Sequence, residues 1–278
     1  MMKLFPVILF SFILLLISTN LKGSSIEENT QINEDKSLPL VFPKYHSDLI
    51  ESKLMHDARI KYNEHNLPYN LPDWEAYSKR LKEEITQKAN IKLDSTLPLN
   101  YKSYKTIKRN NYTIEMIVFQ TLPGVYATAN LFIPDGDGPF PAVLHMLGHW
   151  RKGKIDNTGA QSVGHSLALN GYVCLSIDPW GAGERTTIHG DFEDHGDENN
   201  LGSFLMNIGE PLIGIEISEN IRAVDLLSSL PYVDKNKIGA TGASGGGNQA
   251  MWLAAMDERI KAVVPVVSVG TFESHIMG

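Results

Sequence analysis

Cysteine is nearly absent from this chain. Cys174 is the only one in 278 residues, which rules out an intramolecular disulfide. It lies in the apolar run Tyr172 to Ile177 and reads as a buried strand thiol, since no neighbouring cation would lower its pKa. Clustered positive charge is also missing. Lys and Arg number 25 against 32 Asp and Glu, a formal net charge of −7, and no basic stripe with interleaved aromatics occurs, so nucleic-acid binding is not expected. Apolar runs long enough to cross a bilayer are lacking too. The longest, Leu4 to Ser18, falls short of the roughly 20 residues a spanning helix needs. With Lys3 before it and the small Gly23 at a cleavage point before Ser24, it reads as a secretory signal peptide, residues 1–23, with an uncleaved anchor as the alternative. The mature protein is expected to be secreted or periplasmic, without stable membrane association. The chain contains neither a His-Glu-x-x-His spacing nor an EF-hand register, so no metal and no cofactor is expected. The loop His189 to Glu198 offers two His and five carboxylates, but reads as a solvated insertion that shapes access to a cleft.

What is present has a clear order. Residues 24–45 are polar and mixed in charge, a flexible leader. Residues 46–100 carry helical periodicity: Leu49, Leu54, Met55, Ile60 and Tyr62, then Trp74, Tyr77, Leu81 and Ile85, with Asp73 as expected N-cap. This region reads as a helical extension packed on the main domain, with a lid or docking element as the alternative. From Tyr101 the period becomes two. Tyr104 to Lys108, Tyr112 to Thr121 and Val125 to Ile133 are rich in β-branched and aromatic residues and are separated by turn residues, so they form an antiparallel meander at the sheet's leading edge. The sequon Asn111-Tyr112-Thr113 receives no role. After Asp135 to Pro139, strands and helices alternate: strand Pro141 to Met146, helix Ala160 to Leu169, strand Tyr172 to Ile177, then a sharp turn Asp178 to Arg185. An amphipathic helix marked by Ile217, Ile221, Val224 and Leu227 follows. That alternation predicts a mostly parallel, helix-covered sheet.

Gly242-Ala243-Ser244-Gly245-Gly246 is where chemistry is expected. It reads G-x-S-x-G between the strand-like Lys237 to Thr241 and the helix-like Asn248 to Met256. A serine on so sharp a strand-to-helix turn needs small neighbours, because flanking side chains would collide. The turn lifts the Ser244 hydroxyl above the sheet with free helix N–H groups beneath it. A glycine-rich turn without function is the bland alternative, and the strand–turn–helix setting weighs against it. Asp178, Glu184 and Arg185 invite a catalytic role, but read better as a strand end and turn held by hydrogen bonds.

From Tyr101 onward the chain resembles an α/β-hydrolase, closest to the acetyl xylan esterase and dienelactone-hydrolase-like branches. The resemblance is carried by Pro141 to Leu144 with Gly148-His149, the Asp178 to Arg185 turn, the approach Val233-Asp234 to Ile238-Gly239, and Gly242 to Gly247. It implies an α/β-hydrolase domain over residues 101–278, with Ser244 attacking an acyl carbonyl and the oxyanion held by the N–H of Gly245 and that of His149 or Trp150. The family often has His-Gly where this chain has Leu147-Gly148. In this fold the acid and histidine follow the serine on separate later loops. After the strand-like Ala262 to Val269 only Gly270 to Gly278 remain, and Glu273 and His275 share a single loop. The chain is therefore expected to be the N-terminal part of a longer esterase, with acid and His beyond Gly278. The expected activity is a serine carboxylesterase deacetylating carbohydrate, its partner a small-molecule or carbohydrate ester. A peptidase or other acyl hydrolase, or an inactive remnant, are the alternatives.

Overall fold

The computed structural model describes residues 49–148, 150–185 and 201–270. The signal peptide, the leader, His149, the His189 to Glu198 loop, Glu273 and His275 lie outside the described residues. By internal contacts the chain divides between Leu54 and Met55. Of the first unit only residues 49–54 are described, as the opening turns of helix α1 (Leu49–Asn63), no residue of which is buried.

Helix α2 (Leu71–Lys88) begins earlier than Asp73, the expected cap. Asn70 is the N-cap: its Oδ1 accepts the Asp73 N–H at 3.0 Å while its Nδ2 donates to Asp73 Oδ2 at 2.7 Å. Pro72 explains the shift, since its fixed φ suits the first turn and its missing N–H costs nothing there. The segment after α2 is tied down by Lys92, whose N–H donates to Ser218 Oγ at 2.8 Å.

Among the described residues, seven strands form one sheet, in the order β1-β2-β3-β5-β4-β6-β7. Strands β1 (Lys102–Arg109), β2 (Tyr112–Leu122) and β3 (Val125–Pro134) form the expected antiparallel meander. β3 pairs antiparallel with β5 (Val173–Ile177). Beyond that junction β5, β4 (Phe140–Met146), β6 (Val233–Ala243) and β7 (Ile260–Val266) are all parallel. The switch lets four strand ends finish on one edge, with Asp178, Leu147, Ser244 and Val267 as the residues that leave it.

Because successive side chains alternate across a strand, Leu131 and Phe132 serve opposite faces, as do Leu175 and Cys174. One face holds the larger core, where Phe119, Leu131, Leu144, Met146 and Leu175 meet helix α5 (Leu212–Ser229) and helix α6 (Gly245–Met256). The other holds Tyr112, Ile114, Phe132 and Cys174 against helix α3 (Ser162–Leu169). A short helix, α4 (Leu201–Asn207), precedes α5. The approach of α3 is set by Gly164, where a Cβ would overlap the Phe132 ring. Helix α5 departs from the amphipathic pattern expected of it. Glu216, Ser218, Glu219, Asn220 and Arg222 are as buried as Ile217 and Val224, so its polar face also packs on protein and must find hydrogen-bond partners there.

Cys174 is fully buried, and desolvation pushes its thiol up to about 12. A thiol-specific disulfide reagent at pH 8 is expected to leave the folded protein unmodified and to titrate one thiol in denaturant. Rapid native labelling would contradict the burial.

Candidate active site

Ser244 occupies φ 56°, ψ −123° and is the N-cap of α6. Non-glycine residues avoid this region, so a serine held there marks a position fixed by its surroundings. Two backbone bonds do the fixing: Ser244 N–H donates to Val266 O at 2.9 Å, and Asn248 N–H donates to Ser244 O at 3.0 Å. The result is an exposed serine at the carboxyl edge of β6, followed at once by helix N–H groups that have no intrahelical acceptor.

The glycines around it are explained by close backbone approach. At Gly242 a Cβ would lie 2.5 Å from Gly246 C and Met146 O, and at Gly246 2.9 Å from Leu147 C. At Gly148 it would overlap Ala243 O and lie 3.3 Å from both Gly245 N and Gly246 N. The loop after β4 therefore rests on the first turn of α6, which brings Gly245, the first expected oxyanion donor, beside the loop expected to supply the second. Within that loop, the Trp150 N–H donates back to Gly148 O at 2.9 Å. That bond engages the Trp150 amide, and His149, the other expected donor, lies outside the described residues. Val267, the first residue past β7, is 87 % exposed at φ 52°, a second strained residue next to the serine.

Several other ionisable groups among the described residues are held in hydrogen bonds within the fold. His145 is buried, bonded through Nδ1 to Ser176 Oγ at 3.0 Å, and pushed down to about 4 by desolvation. His165 faces Tyr112 OH at 3.0 Å and His65 faces Tyr77 OH at 2.8 Å. Asp178 is fully buried and behaves as the strand-end group expected. Its Oδ1 accepts the Lys154 N–H at 2.6 Å, and its Oδ2 accepts Thr128 Oγ1 at 2.6 Å and pairs with Lys154 Nζ. Arg185 grips Glu219 of α5 bidentately at 2.8 and 2.6 Å and donates to Asp178 O at 3.0 Å. Among the described residues no group of three or more His, Cys, Asp and Glu could hold a metal.

Five participants, Glu216, Glu219, Asn220, Gln249 and Lys154, escaped the sequence reading. Glu216, Asn220 and Gln249 form a buried chain: Asn220 Nδ2 donates to Gln249 Oε1 at 3.0 Å, and Gln249 Nε2 to Glu216 Oε1 at 3.3 Å. It joins α5 to α6, the helix that Ser244 caps. Glu216, Glu219 and Asn220 recur at helical spacing, a polar stripe that could have been found. Lys154, a lone lysine in a loop, carried no signal.

A parallel sheet whose carboxyl edge holds a left-handed serine at a helix N-terminus is the α/β-hydrolase fold. The chain belongs to the acetyl xylan esterase (AXE1) family, whose model matches residues 69–272. The Bacillus subtilis protein YtaP, named as a hydrolase, is 28% identical over 181 residues, covering 62% of this chain and 58% of its own. A Bacteroides fragilis protein described as an acetyl xylan esterase superposes with a TM-score of 0.61 at 18% identity, over 81% of this chain and 62% of that one. Acetyl xylan esterase 1 from Thermoanaerobacterium does so with 0.51 at 16% identity, over 68% and 57%. The chain thus spans less than two thirds of each of these proteins.

Two outcomes follow. Gly148→Ala places a Cβ against the elbow, and is expected to slow active-site labelling by about 10²-fold, the effect of losing one oxyanion donor; labelling kinetics on folded protein check it. Burial first, then the Glu219 charge, raise Glu216 to about 8, while Arg185 opposes them. Its folded pKa lies above its unfolded value of 4.5, so its contribution to stability is complete below pH 4.5 and is lost as pH rises toward 8. Stability is expected to fall with rising pH across that window, as a group that binds its proton more tightly in the folded state requires. Urea denaturation of Glu216→Gln across that window should show that fall removed.

Proposed function

We propose that the protein is a carboxylic ester hydrolase that works through Ser244 and an acyl-enzyme, and that it deacetylates carbohydrate after export. The observation that carries this reading is the exposed Ser244 at φ 56° on the N-terminus of α6, with the Gly148 loop seated on Gly245 and Gly246. Membership of the acetyl xylan esterase family supports the acetyl group and the sugar alcohol.

In this mechanism Ser244 Oγ attacks the acyl carbonyl carbon while a histidine base takes its proton. The developing oxyanion lies between the Gly245 N–H and a second backbone N–H from the loop after β4, that of His149 or Trp150. Collapse breaks the bond to the sugar oxygen, which leaves with the proton as an alcohol. Water then adds to the acyl-enzyme and releases acetate. The base and its acid belong on loops after the elbow helix. His145 is unsuited to the part, since burial and its bond to Ser176 keep it neutral and engaged.

A fluorophosphonate probe on the whole protein tests the nucleophile: labelling is expected at Ser244 and is abolished in Ser244→Ala. Absence of labelling would favour the inactive remnant. Acetylated xylo-oligosaccharides against peptide substrates then separate the esterase from a peptidase of the same fold.

A further inference from the structure

The loop expected to carry the second oxyanion donor has few apolar anchors of its own, since Arg151, Lys152 and Ile155 are exposed. Yet one residue in it, Lys154, is only 3% exposed, and the carboxylate it meets, Asp178, is fully buried. A buried ion pair is costly to form unless geometry and extra hydrogen bonds are good, and here they are. Asp178 takes both the backbone N–H of Lys154, at 2.6 Å, and its ammonium. Thr128 Oγ1 fills another lone pair at 2.6 Å. Glu184 provides the ammonium with a second carboxylate.

The fit extends to the backbone. Gly183 N–H donates to Arg151 O at 3.0 Å, zipping the two loops together. At Gly153, φ 53°, a Cβ would overlap the Asp178 carboxylate and lie 2.8 Å from Gly183 Cα. The loop after β4 is therefore pinned laterally to the turn after β5. That turn is pinned in its own right, because Arg185 joins it to Glu219 of α5, and the next residue of α5, Asn220, bonds Gln249 of the nucleophile helix. Polar links thus lead from the β4 loop to α6 by a route separate from the Gly148 contact.

We infer that Lys154 is a positioning residue: through Asp178 it sets where the described part of the β4 loop, from Trp150 to Lys154, sits relative to Ser244 and its oxyanion site. This rests on the serine-hydrolase reading above. Oxyanion donors stabilise the transition state when they lie 2.7–3.1 Å from the developing charge, so a loop released by a few tenths of an ångström loses turnover while ground-state binding stays.

The experiment is Lys154→Met in the whole protein, with kcat per fluorophosphonate-titrated Ser244, KM and the thermal midpoint read on one preparation. The expected result is a fall in kcat per titrated site of about 10- to 100-fold, bounded by the loss of one donor, with KM changed less than about three-fold. Lys154→Arg, which keeps the charge in the pair, is expected to recover part of that loss. An unchanged kcat per titrated site, with activity falling only as titratable protein falls, overturns the inference and makes the pair purely structural. Should Lys154→Met not fold, Glu184→Gln decides, because that side chain is 70% exposed: kcat per site falls a few-fold with KM held, and an unchanged kcat overturns the inference. A wild-type protein that neither labels nor hydrolyses esters overturns the serine-hydrolase reading and this inference with it. Active wild type alongside an unaffected variant overturns this inference alone.

Discussion

The approach of backbone to backbone at the carboxyl edge is the constraint on which the rest of this molecule turns. Met146 O, Leu147 C, Ala243 O and the amides of Gly245 and Gly246 crowd into a space that has no room for a Cβ at Gly148, Gly242 or Gly246. Parallel pairing of β4 with β6, which sets Met146 opposite Gly242, brings the two chains level. The left-handed turn at Ser244 then starts α6 directly under the β4 loop. Such contact yields donors that cannot rotate away, and it also makes the site intolerant of even one added methyl group. An exposed serine in a strained backbone is maintained at that price.

Charges divide sharply between those that matter to this arrangement and those that do not. Pairs such as Lys61–Glu64 and Arg80–Glu84 lie at the surface, where each is worth at most about 1 kcal/mol. Lys154–Asp178 and Arg185–Glu219 are almost wholly buried, where loss of one partner costs about 3–5 kcal/mol. All four buried residues lie in or beside the loops at the carboxyl edge. Carboxylate and cation thus do for the loops what Phe119 and Leu131 do for the strands, at positions where an apolar side chain would leave backbone amides without partners.

Much of the fold was legible in the chain. The change of period at Tyr101, the turn residues between the leading strands and the alternation after Pro139 each reflect local geometry, and the structure reproduces their order. The elbow was legible because its requirement for glycine is steric and lies within five consecutive residues. Two readings differed from the structure, one through a local effect and one through a long-range one. Asn70 rather than Asp73 caps α2, a matter of where Pro72 starts the helix. Helix α5 looked amphipathic, but its polar stripe is buried, because contacts from other elements decide what surrounds a helix.

The sequence by itself determined the identity of the nucleophile candidate, the succession of strands and helices leading up to it and the resemblance to the family, since each depends on residue types at short spacing. Tertiary structure alone decided that Lys154 meets Asp178 across 24 positions, that Arg185 grips Glu219 across 34, and that Trp150 turns its amide back on Gly148. Those facts carry no local signal. A lysine in a loop has the same helix, strand and turn preferences whether its ammonium ends in water or against a buried carboxylate, and only the packing of two strand ends side by side makes the difference.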